Sequence, residues 1–344
     1  EQVTRDPCSR YGQPVSLTSQ TAPAAFLGRL DMKQKLGIAS ADDLWTWATG
    51  ITERRRPSLG TAELPVGDEV VYRGQSHADF GLTSSLYRLC RKALPAGVKE
   101  KRLADVEAKV LAAMQGEGLG RRMSDGQPPS VLQHHGVTTR LIDFSRGPLE
   151  ALYFAVEGRD DTDGRLFIVR AHGRTTSIAT TMTLKAVNGD ASLPWSSYAR
   201  GSERAADPWT QTVALVDPED LDPRMVAQRG VFLVGGLNRR SAGRSMLYKP
   251  AGSATASTQL AAELYADVTS LGINFTTTVH EPHQSWPASG WTIQIPSAWK
   301  SPIRDRLAGL PESIRRDTMY PPVDEVARLA NYAVLEDLAQ GSRL

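Results

Sequence analysis

Two cysteines, Cys8 and Cys90, are all that the 344 residues contain. They are too few for a disulfide framework and lack the CxxC spacing of a redox or zinc motif, so no metal site and a reducing, cytoplasmic location are expected. Aromatic residues make up only 7% of the chain. No apolar run approaches the roughly 18 residues that a membrane-spanning helix requires, so no membrane partner is expected. A dominant charge is lacking too: 40 basic against 38 acidic residues leave a formal +2. The overall balance therefore selects neither nucleic acid nor an acidic substrate. GxxxxGK(S/T), strand-linked GxGxxG, HExxH and GxSxG are all missing, which excludes motif-based assignment to P-loop NTPases, dinucleotide oxidoreductases, zincins and serine hydrolases. The chain opens at Glu1 rather than methionine, which leaves room for a removed leader.

What is present suits a folded chain with a sizeable core, with 40% apolar and 23% charged residues. Residues 1–30, rich in Thr, Ser, Pro, Gln and Ala, read as an extended, loosely attached leader. Ser40 and Asp42 offer capping oxygens for a helix whose stripe is Leu44, Trp45, Trp47 and Ala48 and whose stop is Gly50. Thr52 to Asp68 reads as a linker, and Glu69 to Tyr72 as a strand. Val98, Leu103, Val106, Val110, Leu111 and Met114 recur at helical spacing. Ser145 is the expected cap of a further helix carrying Pro148 in its first turn and Leu149, Leu152, Tyr153 and Val156 on one face. Leu166 to Val169, Val231 to Val234 and Trp291 to Ile295 read as buried strands. Segments 172–220 and 236–262 read as long loop insertions, and Val323 to Leu338 as a closing helix.

Three clusters concentrate groups capable of chemistry. Tyr72-Arg73-Gly74-Gln75 ends a strand in an arginine beside a glycine, placed either to fork onto a phosphate or carboxylate or to pair with a buried acid. Gln133-His134-His135-Gly136-Val137-Thr138-Thr139-Arg140-Leu141-Ile142-Asp143-Phe144-Ser145 crowds polar side chains at a strand-to-helix passage, the best anion-site candidate in the chain. Adjacent histidines on extended backbone point apart and do not share a metal easily. Arg140 and Asp143 can instead pair with each other and pin the loop. Arg224 to Phe232 puts Gln228 at the mouth of an apolar strand, as a ladder-edge residue or a ligand-facing one. Charge is also local: Ser84 to Arg122 holds nine basic against four acidic residues, and Arg224 to Lys249 six against none. Such stretches either bind phosphates or form solvated faces.

These clusters, in this order, resemble the FRG domain, a family named for a phenylalanine or tyrosine followed by arginine and glycine and found largely in bacteria and phages. The resemblance runs over about residues 68–330. It adds Leu82 to Arg88, Pro148 to Ala155, and Ile295-Pro296 through Lys300 to Tyr320-Pro321. Thr138 and Phe144 stand where the family usually has proline and tryptophan.

The family's motif order is similar to that of the ADP-ribosyltransferase fold. The resemblance therefore implies a single large ADP-ribosyltransferase-like α+β domain with a central split β-sheet, flanking helices and long loop insertions. It spans residues 67–330, between an extension over 1–66 and a tail over 331–344. It implies NAD as substrate, held by Tyr72, Arg73, Gly74, Gln75, Gln133, His134, Thr139 and Arg140, with Arg73 as the clamp. Gln228 falls at the position of the catalytic glutamate. A glutamine is no general base, so the resemblance leaves His135 or Asp143 to take the proton, or catalysis weak or absent. The activity so implied is transfer of ADP-ribose to a macromolecular acceptor, protein, RNA or DNA, in a toxin or antiviral-defence setting where an antitoxin is a candidate partner. The alternatives are a non-catalytic nucleic-acid or protein binding module and an NAD glycohydrolase.

Overall fold

Val70, Val71 and Tyr72 are all buried, which requires a strand covered on both faces. That strand lies inside one hydrogen-bonded sheet. The computed structural model describes residues 27–28, 30–53, 68–94, 97–116, 138–171, 181–183, 195, 199, 204, 207–217, 223–238, 247–248, 258–259, 262–276 and 286–321. The strands are β1 (Glu69–Gln75), β2 (Ile142–Ser145), β3 (Gly164–Ala171), β4 (Thr181–Thr183), β5 (Val213–Asp217), β6 (Gly230–Gly235), β7 (Leu247–Tyr248), β8 (Thr258–Gln259), β9 (Ile273–Phe275) and β10 (Ala288–Ile295). The helices are α1 (Ala41–Glu53), α2 (Ser85–Ala93), α3 (Glu100–Gly116), α4 (Pro148–Val156), α5 (Pro223–Ala227), α6 (Ala262–Val268), α7 (Ser297–Ala308) and α8 (Arg316–Met319).

Eight strands form one mixed sheet in the order β4-β5-β6-β2-β1-β3-β10-β9, and β7 pairs with β8 apart from it. The sheet's two halves meet at a single register pair, Tyr72 opposite Ser145 between β1 and β2. By contrast, β1 pairs with β3 along its whole length. Beyond that one pair β1 and β2 part, leaving a notch in the middle of the sheet.

Alternating side chains fill both faces. Val71, Phe167, Phe144 and Val231 pack on one side with Tyr265 and Val268 of α6. On the other, Val70, Ile168 and Trp291 pack beneath α1, α4 and α7, and Phe232 and Val234 pack with Trp195 and Trp209. Residues opposed across a ladder share a face, so Tyr72, Ser145 and Gly230 look out on the side where those last two clusters flank the notch.

Several expectations change in detail. Leu27 and Leu30 are not loosely attached: both are buried. The Leu27 carbonyl accepts from Arg165 at 3.2 Å, and Met32 N–H donates to Thr292 at 2.8 Å. In α1 the capping pair is Ser40 with Asp43, not Asp42, and the helix runs past Gly50 to Glu53 because glycine weakens a helix without ending it. Ser145 lies in β2; the N-cap of α4 is Gly147, without a side-chain cap. β5 runs through the stretch expected to be loop. The expected closing helix lies outside the described residues.

The end of β1 is held by a buried lysine. Lys300 of α7 is fully buried and donates from Nζ to the carbonyls of Ser76 (2.8 Å), Arg159 (2.9 Å) and Gly158 (3.3 Å). Burial pulls its pKa below the ordinary lysine value. Lys300→Met keeps the stem's bulk and leaves three carbonyls without their donor, which costs about 2–3 kcal/mol. Urea denaturation checks this; a change within 0.5 kcal/mol, as for an ordinary surface lysine, contradicts it.

Candidate functional site

The notch between β1 and β2 opens into a cleft of about 290 Å³. Its floor is the splayed strand ends: Tyr72, Arg73 and Gly74 on one side, Asp143 and Ser145 on the other. Arg224 and Gln228 come from α5 and the turn after it, and Phe154 and Tyr320 from α4 and the residue after α8.

Arg73 spans the notch. In an unbroken ladder the Asp143 carbonyl would face a backbone amide of β1. Instead it accepts from Arg73 Nη1 at 2.5 Å, with the Asp143 carboxylate 3.5 Å away. Arg73 Nε is buried with no hydrogen-bond partner among the described residues. The Arg73 side chain also lines the cleft and is 22% exposed. Burial pushes the Tyr72 phenol above its ordinary pKa, so it stays a neutral hydrogen-bonding group.

Gly74 is dictated by the helix above it. A Cβ built there would lie 1.8 Å from the Ala151 carbonyl oxygen and 2.5 Å from the Ala155 nitrogen. Gly164 on β3 is pressed against the Ala155 carbonyl in the same way, at 2.1 Å. Two alanines one helical turn apart and two glycines on neighbouring strands let α4 settle onto the sheet directly behind Arg73.

The opposite wall is a short aromatic stack. Phe154 and Tyr320 meet edge-on with centroids 6.1 Å apart, and the Tyr320 hydroxyl donates to Glu157 at 3.3 Å. Burial and the Glu157 carboxylate push the Tyr320 hydroxyl up to about 12. Gln228 Nε2 donates to the Met319 carbonyl at 2.9 Å, tying the α5 turn to that wall.

The structure thus brings together Tyr72, Arg73, Gly74, Asp143 and Gln228, and leaves three other expected residues out of the cleft lining. Gln75 turns to the Gly81 carbonyl at 3.3 Å. Thr139 is bound through its backbone to Ser85 at the start of α2. Arg140 is 2% exposed and is taken up by Glu100 at 2.5 Å and Glu107 at 3.2 Å. The Arg140–Asp143 pair is accordingly not formed: Arg140 pairs with α3 and Asp143 with Arg73. Gln133, His134 and His135 lie outside the described residues.

Arg224, Phe154 and Tyr320 went unread as cleft residues. Arg224 had a signal, since it precedes Gln228 by four positions and shares its side of a helical turn. Phe154 and Tyr320 had none, because their partnership depends on where α8 returns.

Among the described residues no group of three or more His, Cys, Asp or Glu side chains gathers to hold a metal ion. Among them also, no helix is long and apolar enough to cross a membrane. Compared with known proteins, the chain matches no curated protein and no solved structure. Arg224, Gln228 and Tyr320 fall outside the one stretch that does match a family. That stretch, residues 68–164, carries the Arg73 strand end, the β2 edge and the helix closed over both, and it matches the FRG domain.

Proposed function

We propose that this cleft binds NAD and that the protein is an ADP-ribosyltransferase of toxin or antiviral-defence type, acting on a macromolecular acceptor. The observation that carries the reading is Arg73, held across a break in the sheet and lining the cleft with Asp143 and Gln228 beside it. A sheet whose halves meet at one register pair supports an ADP-ribosyltransferase-like architecture. At about 290 Å³ the cleft is at the small end of ligand pockets, so it takes one half of the dinucleotide and leaves the rest along the rim.

The chemistry asked of these residues is modest. The bond from ribose C1′ to the nicotinamide nitrogen breaks, and the electron pair leaves with nicotinamide, which becomes neutral. Positive charge develops on the ribose, and an acceptor nucleophile bonds to C1′ and gives up its proton. Arg73 suits the pyrophosphate, which a guanidinium can fork. Asp143 is the one carboxylate lining the cleft among the described residues, so it is our choice to receive the proton.

Arg73→Ala will weaken NAD binding by about 2 kcal/mol, some thirtyfold, the worth of a charge-assisted contact. Calorimetry with NAD and a nicotinamide-release assay over protein and nucleic-acid acceptors check this. An unchanged affinity removes Arg73 from the site, and neither binding nor release removes the enzyme reading. Free ADP-ribose in place of a modified acceptor identifies a glycohydrolase.

One observation favours a nucleic-acid partner. Two of the four acids counted in the basic stretch around α3, Glu100 and Glu107, are buried against Arg140, while Lys92, Lys99, Lys101, Arg102 and Lys109 are exposed. Among the described residues of that stretch, Asp105 is the one acid left partly exposed against these bases. RNA or DNA binding that falls steeply with salt supports this surface as the acceptor's dock, or as a binding module's working face if no turnover is found.

A further inference from the structure

Gln228 occupies the turn between α5 and β6, and its amide reaches away from the strands to the Met319 carbonyl at 2.9 Å. Met319 is 1% exposed and belongs to the core under α4 and α7. Tyr320, the next residue, is the cleft wall, steadied by Phe154 and by Glu157. The Gln228 bond ties this turn to the α5 side of the cleft. It requires an N–H donor. A carboxylate at the same place would set its oxygens against a carbonyl oxygen, two acceptors with no proton between them.

We propose that Gln228 is a positioning residue that fixes the Arg316–Tyr320 turn as a wall of the cleft through the Met319 carbonyl, setting ligand affinity rather than handling a proton. The resemblance to the ADP-ribosyltransferase fold puts a glutamate at this position, so it leads one to expect that Gln228→Glu awakens catalysis. The hydrogen bond leads to the opposite expectation: glutamate loosens the wall. The wall role stands on the geometry alone, and only the turnover comparison rests on the NAD reading above.

The test compares the wild-type protein with Gln228→Glu and with Gln228→Met, which matches the side chain's length and cannot donate. Amide hydrogen exchange is followed across residues 315–321, alongside thermal unfolding, NAD affinity and nicotinamide release. In both variants exchange over 315–321 quickens about fivefold, the worth of one hydrogen bond, while the unfolding midpoint holds. NAD affinity falls by a similar factor, and turnover at saturating NAD does not rise in Gln228→Glu. Unchanged exchange in both variants overturns the wall role. A tenfold or greater rise in nicotinamide release by Gln228→Glu overturns it as well, by showing that position to be catalytic. If the wild-type protein binds no NAD, the NAD reading falls and the exchange comparison still decides the role of Gln228.

Discussion

Arg140→Met will cost the fold about 3–5 kcal/mol, the loss that follows when one partner of a buried ion pair is taken away. Glu100 and Glu107 are 0% and 7% exposed and were brought into the interior to meet this guanidinium. Glu100 also accepts from the Trp209 indole at 3.0 Å and the Leu237 amide at 2.7 Å, and Glu107 from the Trp195 indole at 3.1 Å. The neutral donors remain in the variant, but they cannot neutralise two charges. Burial already raises the Glu107 pKa despite Arg140, and without the arginine it rises further.

The sign of the pH effect follows. A carboxyl whose pKa is higher in the folded state than in the unfolded one favours folding while it is protonated, and that stability is lost as pH climbs from the ordinary carboxylate range through the raised value. Arg140→Met is therefore expected to be least damaging near pH 5 and most damaging above pH 7. Adding Glu107→Gln should recover part of the loss. NAD affinity of the folded variant should stay within about twofold, because Arg140 faces α3 and not the cleft. Urea denaturation at two pH values measures the first effect and calorimetry the second. A cost under 1 kcal/mol, or a large fall in affinity with little loss of stability, returns Arg140 to the binding site.

Gly74→Ala tests the other rigid point. The three nearest atoms to the added methyl are all backbone, the Ala151 carbonyl carbon lying 3.0 Å away beyond the two contacts already given. No side chain can swing aside, so α4 must lift from the sheet. Overpacking of this kind costs about 3 kcal/mol, and α4 carries Phe154, so the cleft wall moves too. Lower stability together with weakened ligand binding is expected from denaturation and binding measurements. A stability within 0.5 kcal/mol of wild type would mean that α4 does not press on β1 as described. Gly158 is the useful contrast. Nothing lies within 4 Å of its built Cβ, and its φ of +60° makes backbone strain the whole penalty of alanine there.

The strands were legible because their apolar runs are short and bounded: Leu166–Val169 and Val231–Val234 lie inside β3 and β6, each lengthened by a residue or more at both ends. Parts of the three motif clusters lie on or beside the neighbouring strands β1, β2 and β6. Arg140 was misassigned for a physical reason that the sequence does contain. The helical stripe was taken through Val98, Leu103, Val106 and Val110, yet the buried face of α3 is Glu100, Leu103, Ala104 and Glu107, spaced i, i+3, i+4 and i+7. Two acids in a core stripe require a buried cation, and nothing local says which of the chain's arginines answers. The Phe154–Tyr320 wall was beyond reach, since it joins residues far apart in sequence through a turn held by the burial of Met319 and its bond from Gln228.

The strap at Leu27 and the ladder beneath it also bear on the order in which the protein can assemble during synthesis. β1 has no partner along its length until β3 emerges, and the far edge of β3 stays bare until residues 288–295 leave the ribosome. Arg165 can reach the Ala78 and Leu27 carbonyls as soon as it is made, but it cannot close its bond to Thr292 before then. Until then the nascent chain shows an open apolar strand edge, the kind of surface that chaperones shield and that drives aggregation. The FRG stretch at residues 68–164, recognisable as a sequence, stops where β3 begins and so ends before the strand that pairs with β1 along its whole length has been made.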